Sequence, residues 1–155
     1  MPPWISDLVS CLQTGAILLF DYGLPRREHY APDRHEGWLR CHFRHRAHND
    51  PLILPGIQDI TAWVDFTAAA SAAVDSGAEI SGFVTQAAFL MNGGLNEEMA
   101  FPTDAPPEQQ LALSEQVKML TLPGAMGEAF KCLGLTKEFD QPLTAFAHAD
   151  RTHAL

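Results

Sequence analysis

No two of the 11 glycines stand in a G-x-G spacing, so the sequence lacks the loop that holds a nucleotide phosphate in many α/β folds. Gly93-Gly94 and Gly124-x-x-Gly127 come nearest, and neither directly follows a predicted strand. The three cysteines are odd in number and widely spaced, which favours a reducing compartment over a disulfide framework or a paired-cysteine metal site. The sequence therefore provides no familiar nucleotide, disulfide or metal motif.

Long apolar runs are also missing. The longest run extends from about residue 16 to residue 20. It is far shorter than the roughly 20 residues that a membrane helix needs. Residues 1–14 lack the basic and apolar regions of a secretion signal. The net charge of -9 argues against binding nucleic acid through its phosphates. We therefore expect one globular domain in 155 residues that is not secreted and binds neither nucleic acid nor membrane.

The first two elements are predicted by hydrophobic spacing. Apolar residues from Trp4 to Leu12 recur at helical intervals after Pro2-Pro3, which indicates an amphipathic helix that ends before Gly15. The near-continuous apolar run that follows predicts a parallel strand covered on both faces. Asp21 and Tyr22 then stand at the carboxyl end of that strand, where α/β folds bind ligands.

Later segments alternate between helical and strand patterns. Leu24 to Pro55 reads as a long, partly extended connection, and Asp65 is the preferred cap of an alanine-rich helix that ends near Gly77. The remaining predicted elements are a strand over 78–85, a short helix over 86–91, a surface loop over 96–107, a helix opening at 106–108, and a hairpin of strands 130–136 and 143–148.

This order predicts an α/β fold corresponding to the C-terminal half of a doubly wound, Rossmann-like sheet that ends in an antiparallel hairpin. Residues 1–155 would then form a single incomplete domain. Five segments support a named resemblance when taken together, in order and at similar spacing: Leu18–Gly23 (LLFDYG), Gly37–Cys41 (GWLRC), Pro55–Thr67 (PGIQDITAWVDFT), Thr85–Leu90 (TQAAFL) and Gly127–Thr136 (GEAFKCLGLT). Over most of residues 4–155 the chain resembles the MidA-type family of class I S-adenosylmethionine-dependent methyltransferases.

The resemblance implies methyl transfer, because the family includes a mitochondrial arginine methyltransferase that assists assembly of respiratory complex I. Family members carry a glycine-rich loop and a ribose-binding acid ahead of the region seen here. We therefore expect the donor-binding half to be absent, S-adenosylmethionine to bind the intact family protein but not this chain alone, and the isolated chain to be inactive. A bacterial cytoplasm or a mitochondrial matrix would be the location. Trp38 and Trp63 depart from the pattern, where Thr is usual and His is common.

The resemblance implies an arginine of a protein as acceptor, whereas the residues themselves do not distinguish arginine from lysine, histidine or a small molecule. Methyl transfer to a guanidinium needs an aligned acceptor nitrogen and carboxylates that localise its charge and help remove a proton. Asp21 and Tyr22 are the catalytic candidates, and the substrate-binding candidates are Arg40, Asp59, Thr61, Asp65 and Gln86. Structural alternatives stay open for them. Asp21 could be a strand-end acid, Asp59 or Asp65 a helix cap, Tyr22 a packing residue and Gln86 part of a turn.

Two further hypotheses concern the long connection and the first strand. His42, His45 and His48 follow at three-residue steps, and they form either a loop that orders against a substrate or partner or an ordinary solvated basic loop. Zinc is disfavoured because neither a helix nor a strand would bring the three rings together. The chain could also be a noncatalytic module. An exposed edge of the first strand would then support homodimerisation or docking to a donor-binding partner.

Overall fold

The fold combines seven helices and seven strands within residues 1–99 and 106–155, the part that a computed structural model describes. The helices are α1 (Pro2–Cys11), α2 (Arg26–His29), α3 (Phe66–Asp75), α4 (Gln86–Asn92), α5 (Leu95–Glu98), α6 (Pro107–Thr121) and α7 (Met126–Ala129). The strands are β1 (Gly15–Leu24), β2 (Arg40–Phe43), β3 (Arg46–His48), β4 (Asp59–Thr61), β5 (Val64–Asp65), β6 (Glu79–Thr85) and β7 (Phe130–Lys137). None of the helices in these ranges has the length and apolar character needed to span a membrane.

The main sheet is mixed and has the order β5-β1-β7-β6. β7 lies between β1 and β6 and is antiparallel to both, whereas β5 pairs with β1 in parallel only at Gly23 and Leu24. The prediction that β1 is a parallel strand covered on both faces was therefore wrong. Its long partner runs antiparallel, and one face stays partly open, with Leu18 and Phe20 each 45% exposed. No described strand pairs with its outer edge before Gly23.

The larger core lies on the other face of the sheet, beneath α1 and α3. Ile5 and Val9 of α1 meet a face of α3 made of Phe66 and small alanines, and both helices cover buried residues of β6 and β7. The Asp65 side chain caps α3 by accepting the Ala68 N–H at 3.0 Å, as predicted. Gly77 follows with a φ of 87°, the left-handed conformation expected just after a helix. Both predicted helices are confirmed.

The predicted hairpin at the end of the chain was wrong. β7 forms as expected, but the second strand is replaced by a 3-10 turn at Thr144–Phe146. Phe146 packs directly over Gly82 and Gly134, where the missing side chains leave room for its ring. Beyond the turn, Arg151 donates its N–H to the carbonyl of Phe83 at 2.7 Å. Residues 143–151 thus cover the sheet and do not extend it.

Asp150 fixes this covering segment to β6. Its carboxylate accepts the Phe83 N–H at 2.8 Å and the Thr152 hydroxyl at 2.8 Å. Burial alone would raise the pKa of Asp150, but these hydrogen bonds favour the charged form and together hold the pKa below its usual value. The charged carboxylate therefore stabilises the contact between the C-terminal segment and β6.

A second, three-stranded antiparallel sheet of order β3-β2-β4 occupies the predicted long connection and the residues just after it. Arg44 and His45 join β2 to β3 with φ values of 47° and 63°. Positive φ at both positions is the geometry of the two-residue turn that matches strand twist, although Asn-Gly is its usual sequence. The connection is thus more ordered than its sequence pattern indicates.

The remaining elements agree with the sequence patterns in most respects. β6, α4 and α6 appear where strand and helix spacing predicts them. The loop predicted over residues 96–107 is partly helical, because α5 includes residues 96–98. Residues 100–105 of that prediction lie outside the described residues.

The contact between Gly134 and Phe146 gives a stability prediction. A Cβ at Gly134 would lie 2.8 Å from the Phe146 ring, so Gly134→Ala should lower the free energy of unfolding by about 1–3 kcal/mol. Gly124→Ala is the control, because a Cβ there meets nothing within 4 Å. Urea denaturation of the three chains measures both effects. An unchanged midpoint for Gly134→Ala would contradict the packing described above.

Candidate functional site

Five rings meet near the carboxyl end of β1, and we call them the aromatic cluster: Tyr22, His29, Trp38, Trp63 and Phe130. Tyr22 contacts Phe130 with ring centroids 5.5 Å apart and Trp63 at 6.2 Å. Trp63 stacks on Trp38 at 4.6 Å, with only 19° between the ring planes, and Trp38 lies 5.3 Å from His29. The cluster therefore joins the main sheet to the segment that leads into β2.

His29 forms hydrogen bonds with both tryptophans. The Trp38 Nε1–H donates to the His29 carbonyl at 2.8 Å, and the His29 Nε2 lies 3.2 Å from the Trp63 carbonyl. That second contact requires a proton on Nε2, because a carbonyl only accepts. The Nδ1 of His29 is buried and has no hydrogen-bond partner among the described residues.

The two catalytic candidates lie on opposite faces of β1. Tyr22 is opposite Phe130 and points toward the aromatic cluster, whereas Asp21 is opposite Lys131 on the face that carries Leu19. The side chains of successive residues in a strand point to opposite faces of the sheet, so Asp21 and Tyr22 are apart in space although they are adjacent in sequence. The Asp21 Oδ1 accepts the Tyr22 N–H at 2.8 Å. The structure does not bring the two side chains into one pocket.

Lys131 is a notable polar residue that the sequence analysis missed. It is 4% exposed and lies opposite Asp21 in the sheet, and its Nζ donates to the Glu128 carbonyl. Burial is the main cause that lowers the pKa of Lys131, and the positive charge of Arg151 adds to it. The sequence does contain a signal, because Lys131 precedes Leu133 and Leu135 at the alternating positions of a core-facing strand.

Asp65 and Gln86 make structural contacts. Asp65 uses Oδ1 to cap α3, and its Oδ2 lies 3.2 Å from the Arg26 Nε. Gln86 is 8% exposed and donates its Nε2–H to the Leu120 carbonyl at 2.9 Å, which ties α4 to α6. The capping interpretation of Asp65 is confirmed. The substrate-binding roles of both residues stay predictions.

The other three substrate-binding candidates lie in the second sheet. Arg40 of β2 pairs with Thr61 of β4, and the Thr61 hydroxyl donates to the Arg40 carbonyl at 3.3 Å. Asp59 is exposed and pairs with His42. Arg40 also lines a cleft of about 310 Å³ that reaches Trp38. The structure therefore brings these three together and connects Arg40 to the aromatic cluster.

The histidines do not meet. Cys41 pairs with His48, while His42 pairs with Ala47, so His42 and His48 lie on opposite faces of their sheet. The turn at Arg44 and His45 reverses the chain between them. In the part of the chain that the structure describes, no group of three or more His, Cys, Asp or Glu residues could hold a metal ion.

Sequence comparison relates the chain to methyltransferases. Residues 1–84 match the family model described as "Putative S-adenosyl-L-methionine-dependent methyltransferase". The chain is 34% identical over 140 residues to the mitochondrial protein arginine methyltransferase NDUFAF7 homolog of Drosophila melanogaster, covering 88% of this chain and 29% of that protein. It is 34% identical over 122 residues to mitochondrial NDUFAF7 of Danio rerio, covering 76% of this chain and 26% of that protein.

Two solved structures from Burkholderia thailandensis share the fold. One is an uncharacterized protein, which superposes with a TM-score of 0.96 at 39% identity and covers 99% of this chain. The other, described as a "likely methyl transferase" bound to S-adenosyl-homocysteine, gives 0.92 at 39% identity with the same coverage. The chain spans 41% and 40% of those two chains. It therefore corresponds to less than half of each.

The cap at Asp65 gives a prediction that separates its two contacts. Asp65→Ala removes the cap and the ion pair and should lower the free energy of unfolding by about 1–2 kcal/mol. Asp65→Asn keeps an oxygen for the Ala68 N–H. It should therefore cost less than about 1 kcal/mol, the usual limit for an exposed pair such as that with Arg26. Equal losses in a denaturation series would show that the ion pair is the more important contact.

Proposed function

The chain belongs to this S-adenosyl-L-methionine-dependent methyltransferase family, and from that premise we propose that it contributes the acceptor side of a methyltransferase acting on an arginine of a protein. The main support is the agreement in fold with a relative of 39% identity that binds S-adenosyl-homocysteine. The arginine acceptor is supported by the names of the two NDUFAF7 relatives. The proposed site residues are those selected from the sequence, and the ring contacts at the end of β1 support Tyr22 among them.

We further propose that residues 1–155 provide little of the donor-binding site. The 11 glycines include no G-x-G pair, so the residues present do not fit the usual cradle for the donor. The chain also corresponds to only 40% of the relative that binds the demethylated donor product. On this proposal the chain is one incomplete domain, and it is inactive by itself.

Acceptor chemistry requires that a guanidinium be held flat, be oriented, and lose a proton as its nitrogen gains a methyl group. Tyr22 would line the acceptor pocket, since its ring faces Trp63 and its phenol can donate a hydrogen bond. Asp21 lies on the opposite face of β1 and outside that pocket, so it would accept the proton only from an acceptor group that reaches around the open edge of the strand. Its partly exposed position near the open edge of the strand allows that approach.

The supporting candidates would act further from the reacting nitrogen. Arg40, Asp59 and Thr61 present polar groups on one small sheet, which suits contacts with the polypeptide around the acceptor. Asp65 and Gln86 would position elements, because their side chains already hold α3 and α4. This division separates the residues that touch the acceptor from those that shape its surroundings.

A noncatalytic docking module is the second candidate. The outer edge of β1 has unpaired backbone groups before Gly23 among the described residues, and Leu18 and Phe20 are each 45% exposed beside it. Such an edge can pair with another strand, either from a second copy or from a donor-binding partner. The docking function would use this edge without any chemistry at Asp21.

The catalytic proposal predicts the effect of changing Asp21. A chimera in which residues 1–155 replace the matching part of the Burkholderia thailandensis relative would supply both halves of the fold. With labelled S-adenosylmethionine and a protein acceptor, Asp21→Asn should lower methyl transfer by roughly 10²- to 10⁴-fold, the usual contribution of a general base. Asp7→Asn is the matched control, because Asp7 is exposed on α1. Equal activity in the two variants would exclude a catalytic role for Asp21.

The isolated chain provides a separate prediction about the donor. Titration calorimetry of residues 1–155 with S-adenosylmethionine should show no saturable heat, whereas the chimera should show it. Saturable binding at micromolar donor would contradict the proposed division of the site. Sedimentation of the same sample tests docking to a second copy, which predicts a concentration-dependent dimer.

A further inference from the structure

Trp38 and Trp63 are the most nearly parallel pair of rings in the aromatic cluster. The rings are 4.6 Å apart and nearly parallel, although 25 positions separate the residues in the chain. His29 fixes both, through the Trp38 Nε1–H and the Trp63 carbonyl. Both indoles are partly exposed, so this pair offers solvent a flat and rigid aromatic surface.

A cation already occupies part of that surface. The guanidinium carbon of Arg34 lies 4.6 Å from the centroid of the Trp38 ring, within the range of a cation–π contact. Arg34 is exposed, and no ion pair holds its guanidinium among residues 1–99 and 106–155. The indole is therefore the contact that the structure gives to this guanidinium.

The surroundings suit a positive ligand. The cleft of about 310 Å³ beside Trp38 is lined by the carboxylates of Asp33 and Glu36 and by two arginines, Arg34 and Arg40. Once Arg34 is displaced, two carboxylates face one remaining arginine. An aromatic face with carboxylates at its rim is the combination that recognises an organic cation. A guanidinium gains more than an ammonium, because its plane can lie flat on an indole while its N–H groups point outward to carboxylates.

We propose that the outer face of Trp38, backed by Trp63, is a binding site for the guanidinium of an incoming arginine side chain, and that Arg34 occupies this site until the ligand displaces it. Only the assignment of this arginine to the acceptor protein rests on the proposed function. The outer face of Trp38 is turned away from Trp63, whose ring contacts Tyr22, so this arginine is distinct from the one proposed to bind at Tyr22. Arg34 acts as an internal competitor. Because it is tethered nearby, it has a high effective concentration, and a weakly bound cation will not displace it.

Tryptophan fluorescence of the full chain tests this site. Trp4→Phe in every sample removes the third indole, which is 53% exposed on α1 and would obscure the signal. Arginine amide is the probe, titrated at constant ionic strength against lysine amide and norleucine amide. We expect a saturable change with arginine amide that is weaker with lysine amide and absent with norleucine amide.

Arg34→Gln removes the internal competitor and should tighten arginine amide binding about two- to fivefold, the range expected from an exposed cation–π contact. Arg46→Gln is the matched control, since it removes the same charge from an exposed position in β3 outside the cleft, and it should leave the affinity unchanged. Trp38→Leu should abolish saturation seen through Trp63. Circular dichroism will show whether that variant folds.

Three results would overturn the proposal: no saturable change with arginine amide, an equal response to norleucine amide, or the same affinity in Arg34→Gln and Arg46→Gln. The Arg34 comparison does not depend on the folding of Trp38→Leu. Binding without methyl transfer in the chimera would refute the proposed function and leave this site intact. Methyl transfer without arginine amide binding would refute this site and leave the proposed function intact.

Discussion

The antiparallel pairing of β1 with β7 is the constraint on which the rest of the structure depends. Eight residue pairs run from Gly15 opposite Lys137 to Tyr22 opposite Phe130. This register places Leu19 on the buried face with Leu133, and Tyr22 on the other face with the aromatic cluster. A slip of one residue would exchange the two faces along the whole strand. The same hydrogen bonds therefore determine both the core and the candidate site.

Elements that depend on neighbouring residues could be predicted from the sequence. The cap at Asp65 and the left-handed glycine at position 77 define α3 locally. The direction of β1 could not be predicted, because its partner lies more than 100 positions away and either direction can bury an apolar strand. The turn at Arg44 and His45 lacks the Asn-Gly signal, so the second sheet also escaped prediction.

In the candidate site, too, contacts between residues that are distant in sequence could not be predicted. A carboxylate beside a phenol in the sequence suggests one pocket, yet strand alternation directs Asp21 and Tyr22 to opposite faces. Asp65 was correctly interpreted as a cap because capping has a local signature. Gln86 binds a carbonyl 34 residues away, a partner that no local pattern reveals. Sequence therefore identified polar residues more reliably than it identified their partners.

Each of the two indoles depends on the other for its packing. Trp38 alone would lack the ring that supports its inner face, and Trp63 alone would lack its stacking partner, so each makes the other more favourable. The pair therefore offers a ligand a stacking surface. Stacking rewards a flat ligand, whereas a hydroxyl or an imidazole binds through directed hydrogen bonds. The stacked pair therefore suits a flat cation such as a guanidinium better than a compact one.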